Sequence, residues 1–230
     1  MPLVRDVSEI CYLCGSPLDA AVEEIDVDHV PPRQFYSKEL RSKEKLNLFT
    51  LPTHKKCNRK YQADEEYFIH TFAPLVMDTY SGSSILKELL MQYRTGRNVR
   101  LNRKVLAEFQ KRPSGLYLPP GKVFKRFDSK RVWRVIWKMT RGLFFYENGR
   151  FLPEDTPRAF KIVSPGEKPP DEFFLIPEST HGKYPGILAY RFMKMDDIDF
   201  HIWAILFWDK IITLVYFHDP DCTCDGCRKP

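Results

Sequence analysis

Two short cysteine and histidine pairs near the start of the chain have the residue types and spacing of a metal clamp. Cys11 and Cys14 stand in "CYLCG", and His54 and Cys57 stand in "HKKC", roughly forty residues further on. Three thiols and an imidazole make a tetrahedral donor set with no open position, which is the chemistry of a structural Zn2+. Taken alone, the C-x-x-C also reads as a redox pair, and a surface histidine beside a core cysteine is the competing account of the second pair. Between the pairs lies "DVDHVPPRQFY", from Asp26 to Tyr36. Asp28 and His29 cannot share one face of a period-two strand, so burial alone does not select both. The chain end holds a third group, His218, Cys222, Cys224 and Cys227, in "HDPDCTCDGC". It has the donors for a second zinc, with a passive, frayed tail as the alternative.

These residues need elements to hold them. A strand is expected over Ile25–His29, with Ile25 and Val27 packing inward, Asp26 and Asp28 on the other face, and His29 emerging at the end. Pro31 and Pro32 remove two backbone donors and must stop that strand. A second short strand over Leu46–Leu51, a knuckle turn and a helix from about Lys55 to Phe72 follow. On that helix Asn58, Gln62 and Glu66 recur at four-residue steps and predict one polar face. A metal closing the two pairs would pin everything between them.

Strand, strand and helix around one zinc, carrying Cys11-x-x-Cys14, Asp28-His29, Asn47-Leu48 and His54-x-x-Cys57-Asn58, together resemble the HNH endonuclease family. The stretch "DVDHVPPRQF" is similar in particular to the HNH domain of RNA-guided CRISPR effector nucleases. The resemblance covers roughly a third of the chain. It implies a ββα-metal fold and metal-dependent hydrolysis of DNA, with phage defence or restriction as a setting. Carried over residue by residue, His29 would be the general base, an imidazole poised near neutral pH. Asp28 and Asn58, hard oxygen donors, would hold a catalytic Mg2+ or Mn2+ separate from the zinc. By the family's pattern Asn47 would tie the His29 loop to the second strand. Gln62 stands where some relatives carry a metal-binding histidine, and Glu65 and Glu66 read as a solvated pair on the helix surface or as holders of an outer-sphere water. A zinc-stabilised nucleic-acid-binding or adaptor module without catalysis is the rival reading.

Beyond residue 75 only composition and periodicity speak. The net charge of +6 is unevenly spread, with 17 Lys and Arg against 5 Asp and Glu in residues 76–150 and a mildly acidic balance on either side. A basic block of that kind attracts a polyanion. "SGSS" reads as a flexible opening to two helices split by the basic turn "RTGRNVR". A third helix over Lys130–Phe145 puts Trp133, Ile136, Trp137, Thr140 and Phe144 on a core stripe. Arg94, Arg97, Arg100 and Arg103, with Lys130, Arg134, Lys138 and Arg141 beside that stripe, are the residues expected to grip a phosphate backbone.

From Phe151 onward, "AFKIV", "FFLIP", "GILAYRFM", "FHIWAILFW" and "IITLVYFH" read as short strands of a mostly antiparallel sheet. Asp209 and Lys210 interrupt the long apolar run from Phe200 to Phe217, which argues for two strands around a tight turn and against a membrane span. The N-terminus lacks an apolar stretch of signal-peptide length, so a cytoplasmic protein is expected. The fold class is α+β: an N-terminal zinc-stabilised ββα-metal domain (1–75), a basic helical segment (76–150) and a mostly antiparallel β-containing C-terminal region (151–230). DNA is the expected partner, with a protein partner or a homodimer also open.

Overall fold

The computed structural model describes residues 10–44, 49–110, 114, 118–119, 123–163, 167–177, 184–195 and 199–224. The chain is a mixed helix and sheet protein. Strand β1 (Ile25–His29) pairs antiparallel with β2 (Thr50–His54), in a register that sets Ile25 opposite His54 and His29 opposite Thr50. Helix α1 (Lys38–Glu44) lies between them, and α2 (Lys55–Arg59) starts directly at the end of β2. Within the expected long helix the chain breaks at Lys60–Tyr61, and α3 (Gln62–Phe72) sets off anew. The break buries Tyr61 beneath the guanidinium of Arg134, 5.1 Å from its ring centre.

Helices α4 (Tyr80–Arg94) and α5 (Val99–Ala107) flank the basic turn. "SGSS" is ordered helix. Thr79 caps α4 by accepting the N–H of Gly82 at 3.0 Å, and a Cβ on Gly82 would lie 2.0 Å from the Val76 carbonyl oxygen. A two-residue pair, β3 (Phe109–Gln110) with β4 (Phe124–Lys125), leads into α6 (Ser129–Asn148), the longest helix. Its α-periodic stripe of Val132, Val135, Ile136, Met139, Leu143 and Phe144 is fully buried. Gly149, at φ +64, ends it by donating its N–H to the Phe145 carbonyl.

A four-stranded antiparallel sheet in the order β5-β8-β7-β6 covers one side of α6, formed by β5 (Arg158–Val163), β6 (Leu188–Met195), β7 (Phe200–Phe207) and β8 (Ile211–His218). "FFLIP" is not one of its strands. Pro170 followed by Asp171 and Glu172 starts the short helix α7 (Asp171–Leu175), where acidic residues favour the positive end of the peptide dipoles. Phe200–Phe217 is indeed two strands around a turn, whose central Trp208 and Asp209 both have positive φ. Among the described residues no helix is long and apolar enough to cross a membrane. The three segments share one core: its main cluster runs from Cys11 and Phe35 through Ile136 and Phe144 to Trp203 and Phe217.

Candidate metal centre and buried cation site

The two N-terminal pairs meet. The ligand atoms of Cys11, Cys14, His54 and Cys57 all lie within 4.8 Å of one another. Gly15, at φ +73, closes the first knuckle, and its N–H bonds the Cys11 carbonyl at 2.8 Å. The second knuckle is the junction of β2 with α2, which puts His54 on the strand and Cys57 in the first helical turn. His54 Nδ1 faces Cys14 Sγ at 3.3 Å, and Nε2 lies 3.2 Å from the Pro17 carbonyl. A carbonyl that takes the Nε2 proton leaves Nδ1 as the metal-facing nitrogen, the outer support seen around ligating histidines.

The thiol chemistry fits a soft cation. Burial pushes Cys57 up to about 12, and the neighbouring Cys11 and Cys14 thiolates add to that. Burial also works to raise Cys11, but the Thr53 hydroxyl and the backbone of His54, Leu13 and Cys14 outweigh it and bring this thiol to about 7. Three thiolates this close repel one another unless a cation sits among them. Zinc, with sulfur and nitrogen donors, removes that conflict.

The face of β1 opposes the expectation from its sequence. Ile25 and Val27 are exposed, and Asp28 is the buried residue at 5% exposure. The reason is a buried cation. Lys138 of α6 places its ammonium 2.7 Å from Asp28 Oδ2, 2.5 Å from Glu65 Oε1 and 2.9 Å from Asn58 Oδ1. The Tyr12 hydroxyl donates to the same Asp28 oxygen, and Gln34 Nε2 donates to Glu65 at 3.2 Å. Burial works against the charge of Lys138, but the two carboxylates outweigh it and raise its pKa. Burial likewise raises Glu65, with Lys138 as the main offset.

Asp28 and Asn58 are therefore brought together around the Lys138 ammonium. Their oxygens suit a hard divalent ion, but the point on which they converge is held by the Lys138 ammonium. Glu65 completes the set, so it belongs to this site and is neither a solvated surface residue nor a distant holder of water. Asn58 Nδ2 also reaches Asp26 Oδ2 at 3.3 Å. His29 sits half-buried at the end of β1, and its ring has no hydrogen-bond partner among the described residues. Burial first, then Arg33, lower its pKa, against a smaller opposing pull from Asp28. Asn47 lies outside the described residues.

The basic face divides. Arg94, Arg97, Arg100 and Arg103 are exposed along the end of α4, the turn and α5. Lys130 is exposed on α6, and Arg134 is half-exposed but shares Asp64 with Arg131. Lys138 and Arg141 cannot grip a phosphate backbone, being 1% and 0% exposed. Arg141 is consumed by the carbonyls of Leu13 and Leu152. Their heptad-like spacing with Arg134 hid that α6 is covered on nearly every side after its first turns. Trp137 is core, as expected, while Trp133 is only partly buried at the core's edge; both pack on Phe160, at 6.2 and 5.2 Å.

At the chain end His218, Cys222 and Cys224 also cluster within 4.8 Å, while Cys227 lies outside the described residues. Comparison with protein-family models, curated proteins and solved structures finds no match for this chain, so its function rests on the chemistry of its own residues.

Proposed function

We propose that the chain is a metal-dependent endonuclease of the HNH type that hydrolyses phosphodiester bonds in DNA. The observation that carries this reading is the convergence of Asp28 and Asn58 on one cation position, with His29 the next residue along β1. It occurs on a strand, strand, helix unit whose ends are gathered by the Cys11, Cys14, His54 and Cys57 cluster. His29 would accept the proton of the attacking water, and its lowered pKa keeps the imidazole unprotonated at pH 7, free to take that proton though as a weaker base. Asp28 and Asn58 would hold Mg2+ or Mn2+, which when bound supplies charge stabilisation to the phosphate and leaving oxygen. For that ion to take their oxygens, the Lys138 ammonium has to withdraw from them or share them. The exposed arginines of α4 and α5 would hold the DNA backbone, where they add affinity that falls with salt.

One observation favours a second reading. Because Lys138 already neutralises the carboxylates, the site is also complete as a structural ion pair, as a zinc-stabilised nucleic-acid-binding module without catalysis would have it. Plasmid cleavage by the zinc-loaded protein in EDTA, Mg2+ or Mn2+, beside His29→Ala, separates the two. The endonuclease gives metal-dependent nicking that the variant loses while still binding DNA, with wild-type activity falling on acidification only below the ordinary histidine range. A folded wild type that binds DNA and never cuts it refutes the first reading.

A further inference from the structure

The end of the chain carries a second set of soft ligands, and its turn is built before any metal is invoked. His218 is the last residue of β8, with its ring edge-on to Phe200 at 5.2 Å between centres. The next residue, Asp219, is buried, and its N–H bonds the Asp199 carbonyl at 2.7 Å. Its carboxylate takes Arg150 at 2.8 Å, His201 Nε2 at 3.0 Å and the N–H of Asp221 at 3.0 Å. The Asp219 carbonyl then accepts the N–H of Cys222 at 2.9 Å. None of these bonds involves a thiol, yet together they return the chain toward His218.

The result is two sulfurs facing one nitrogen. Cys222 Sγ lies 3.4 Å and Cys224 Sγ 3.5 Å from His218 Nδ1. Two bonds of zinc length meeting at the tetrahedral angle separate a sulfur from a nitrogen by about 3.6 Å. The corresponding pair in the N-terminal cluster, Cys14 Sγ and His54 Nδ1, is 3.3 Å apart. Thiolate and imidazole donors select zinc over magnesium or calcium.

We propose that His218, Cys222 and Cys224 bind a second zinc ion, which ties the chain end to β8. The proposal stands on these three described ligands. Through Asp219 and Arg150 this centre is linked to the residue that follows the end of α6, so it fastens the tail to the same helix that carries Lys138. It does not depend on the nuclease reading, since metal content is measured without DNA.

The test is metal analysis of the full-length protein purified from zinc-supplemented cells without chelator. Two zinc ions per chain are expected, one after the paired substitution Cys222→Ser with Cys224→Ser, and one after Cys14→Ser, whose side chain is exposed. Titration of metal-free wild type with Co2+ gives a control that needs no variant. Two equivalents should develop sulfur-to-cobalt absorption, against one for the tail variant. A single zinc in the wild type that the tail substitutions leave unchanged overturns the proposal. So does an intact mass, taken under non-reducing conditions, that shows the tail thiols joined as a disulfide.

Discussion

Replacing Lys138 by methionine keeps an unbranched side chain one atom shorter and removes the charge at the meeting point of Asp28, Glu65 and Asn58. Two buried carboxylates then face each other without a cation, and breaking a buried pair in this way costs about 3–5 kcal/mol. Against a typical total stability of about 5–15 kcal/mol that is a large fraction. In urea, followed by tryptophan fluorescence, it moves the midpoint down by roughly 1–2 M for a slope near the upper end of the ordinary range. The loss has a pH signature. Burial already holds Glu65 above the usual carboxylate range, and without the ammonium its proton is held to higher pH still. A carboxyl whose folded pKa exceeds its unfolded value contributes stability below the unfolded pKa and loses it as pH rises through the folded one. The gap between variant and wild type should therefore be smallest near pH 4.5 and widen toward pH 8. A gap below about 1 kcal/mol at pH 8, or one flat with pH, refutes the reasoning. Mg2+ adds a separate arm. If a divalent ion uses these oxygens, it stabilises the variant more than the wild type, by about 2.7 kcal/mol at a hundredfold excess over its dissociation constant. No response to Mg2+ counts against the catalytic-metal assignment and leaves the ion-pair argument standing.

Cys57→Ser should release the N-terminal zinc and unfold the β1–β2 unit, seen as loss of one metal per chain and protease cutting near Glu23 and Glu24, because structural zinc binding is itself folding free energy. Gly142 lets α6 approach the end of β1: a Cβ there would meet Val30 Cγ2 at 2.7 Å. Gly142→Ala should cost about 1–3 kcal/mol in urea unfolding, and Val30→Ala in the same chain should recover part of it. Asp219 is held well below the usual carboxylate range: burial works to raise it, and the hydrogen bonds from Arg150 and His201 outweigh that. Its stabilisation is present above the unfolded pKa and lost as pH falls through the folded value, so Asp219→Asn should destabilise at pH 7 and match the wild type increasingly as the solution is acidified.

The metal cluster was legible because its ligands obey short fixed spacings that survive any tertiary arrangement. Helix α6 and the hairpin of β7 and β8 were legible because their hydrophobic periods run for many residues. What failed was the assignment of charge to solvent. Periodicity places Lys138 beside Arg134, and only the fold reveals that Glu65, 73 positions away, turns inward to meet it. The inversion of β1 has the same cause, since a carboxylate may face inward only when a partner from a distant element is there to receive it. "FFLIP" misled because aromatic strand propensity outweighed a Pro-Asp-Glu helix start that was present in the sequence. "SGSS" misled because small residues signal flexibility and close packing alike.

Trp208, at the tip of the hairpin between β7 and β8, stacks on Phe35 at 5.1 Å and donates its indole N–H to the Phe35 carbonyl at 3.2 Å. Phe35 in turn stacks on Phe68 of α3 at 5.3 Å. The loop that follows Asp28 and His29 is thus roofed by a residue made 173 positions after Phe35. On the ribosome, Cys11, Cys14, His54 and Cys57 are available to a metal early, while the aromatic roof waits for β7 and β8 to emerge. A cell would then carry this loop unroofed until the β7–β8 hairpin has been made, and a fragment ending at residue 150 would lack the Trp208 ring that covers Phe35.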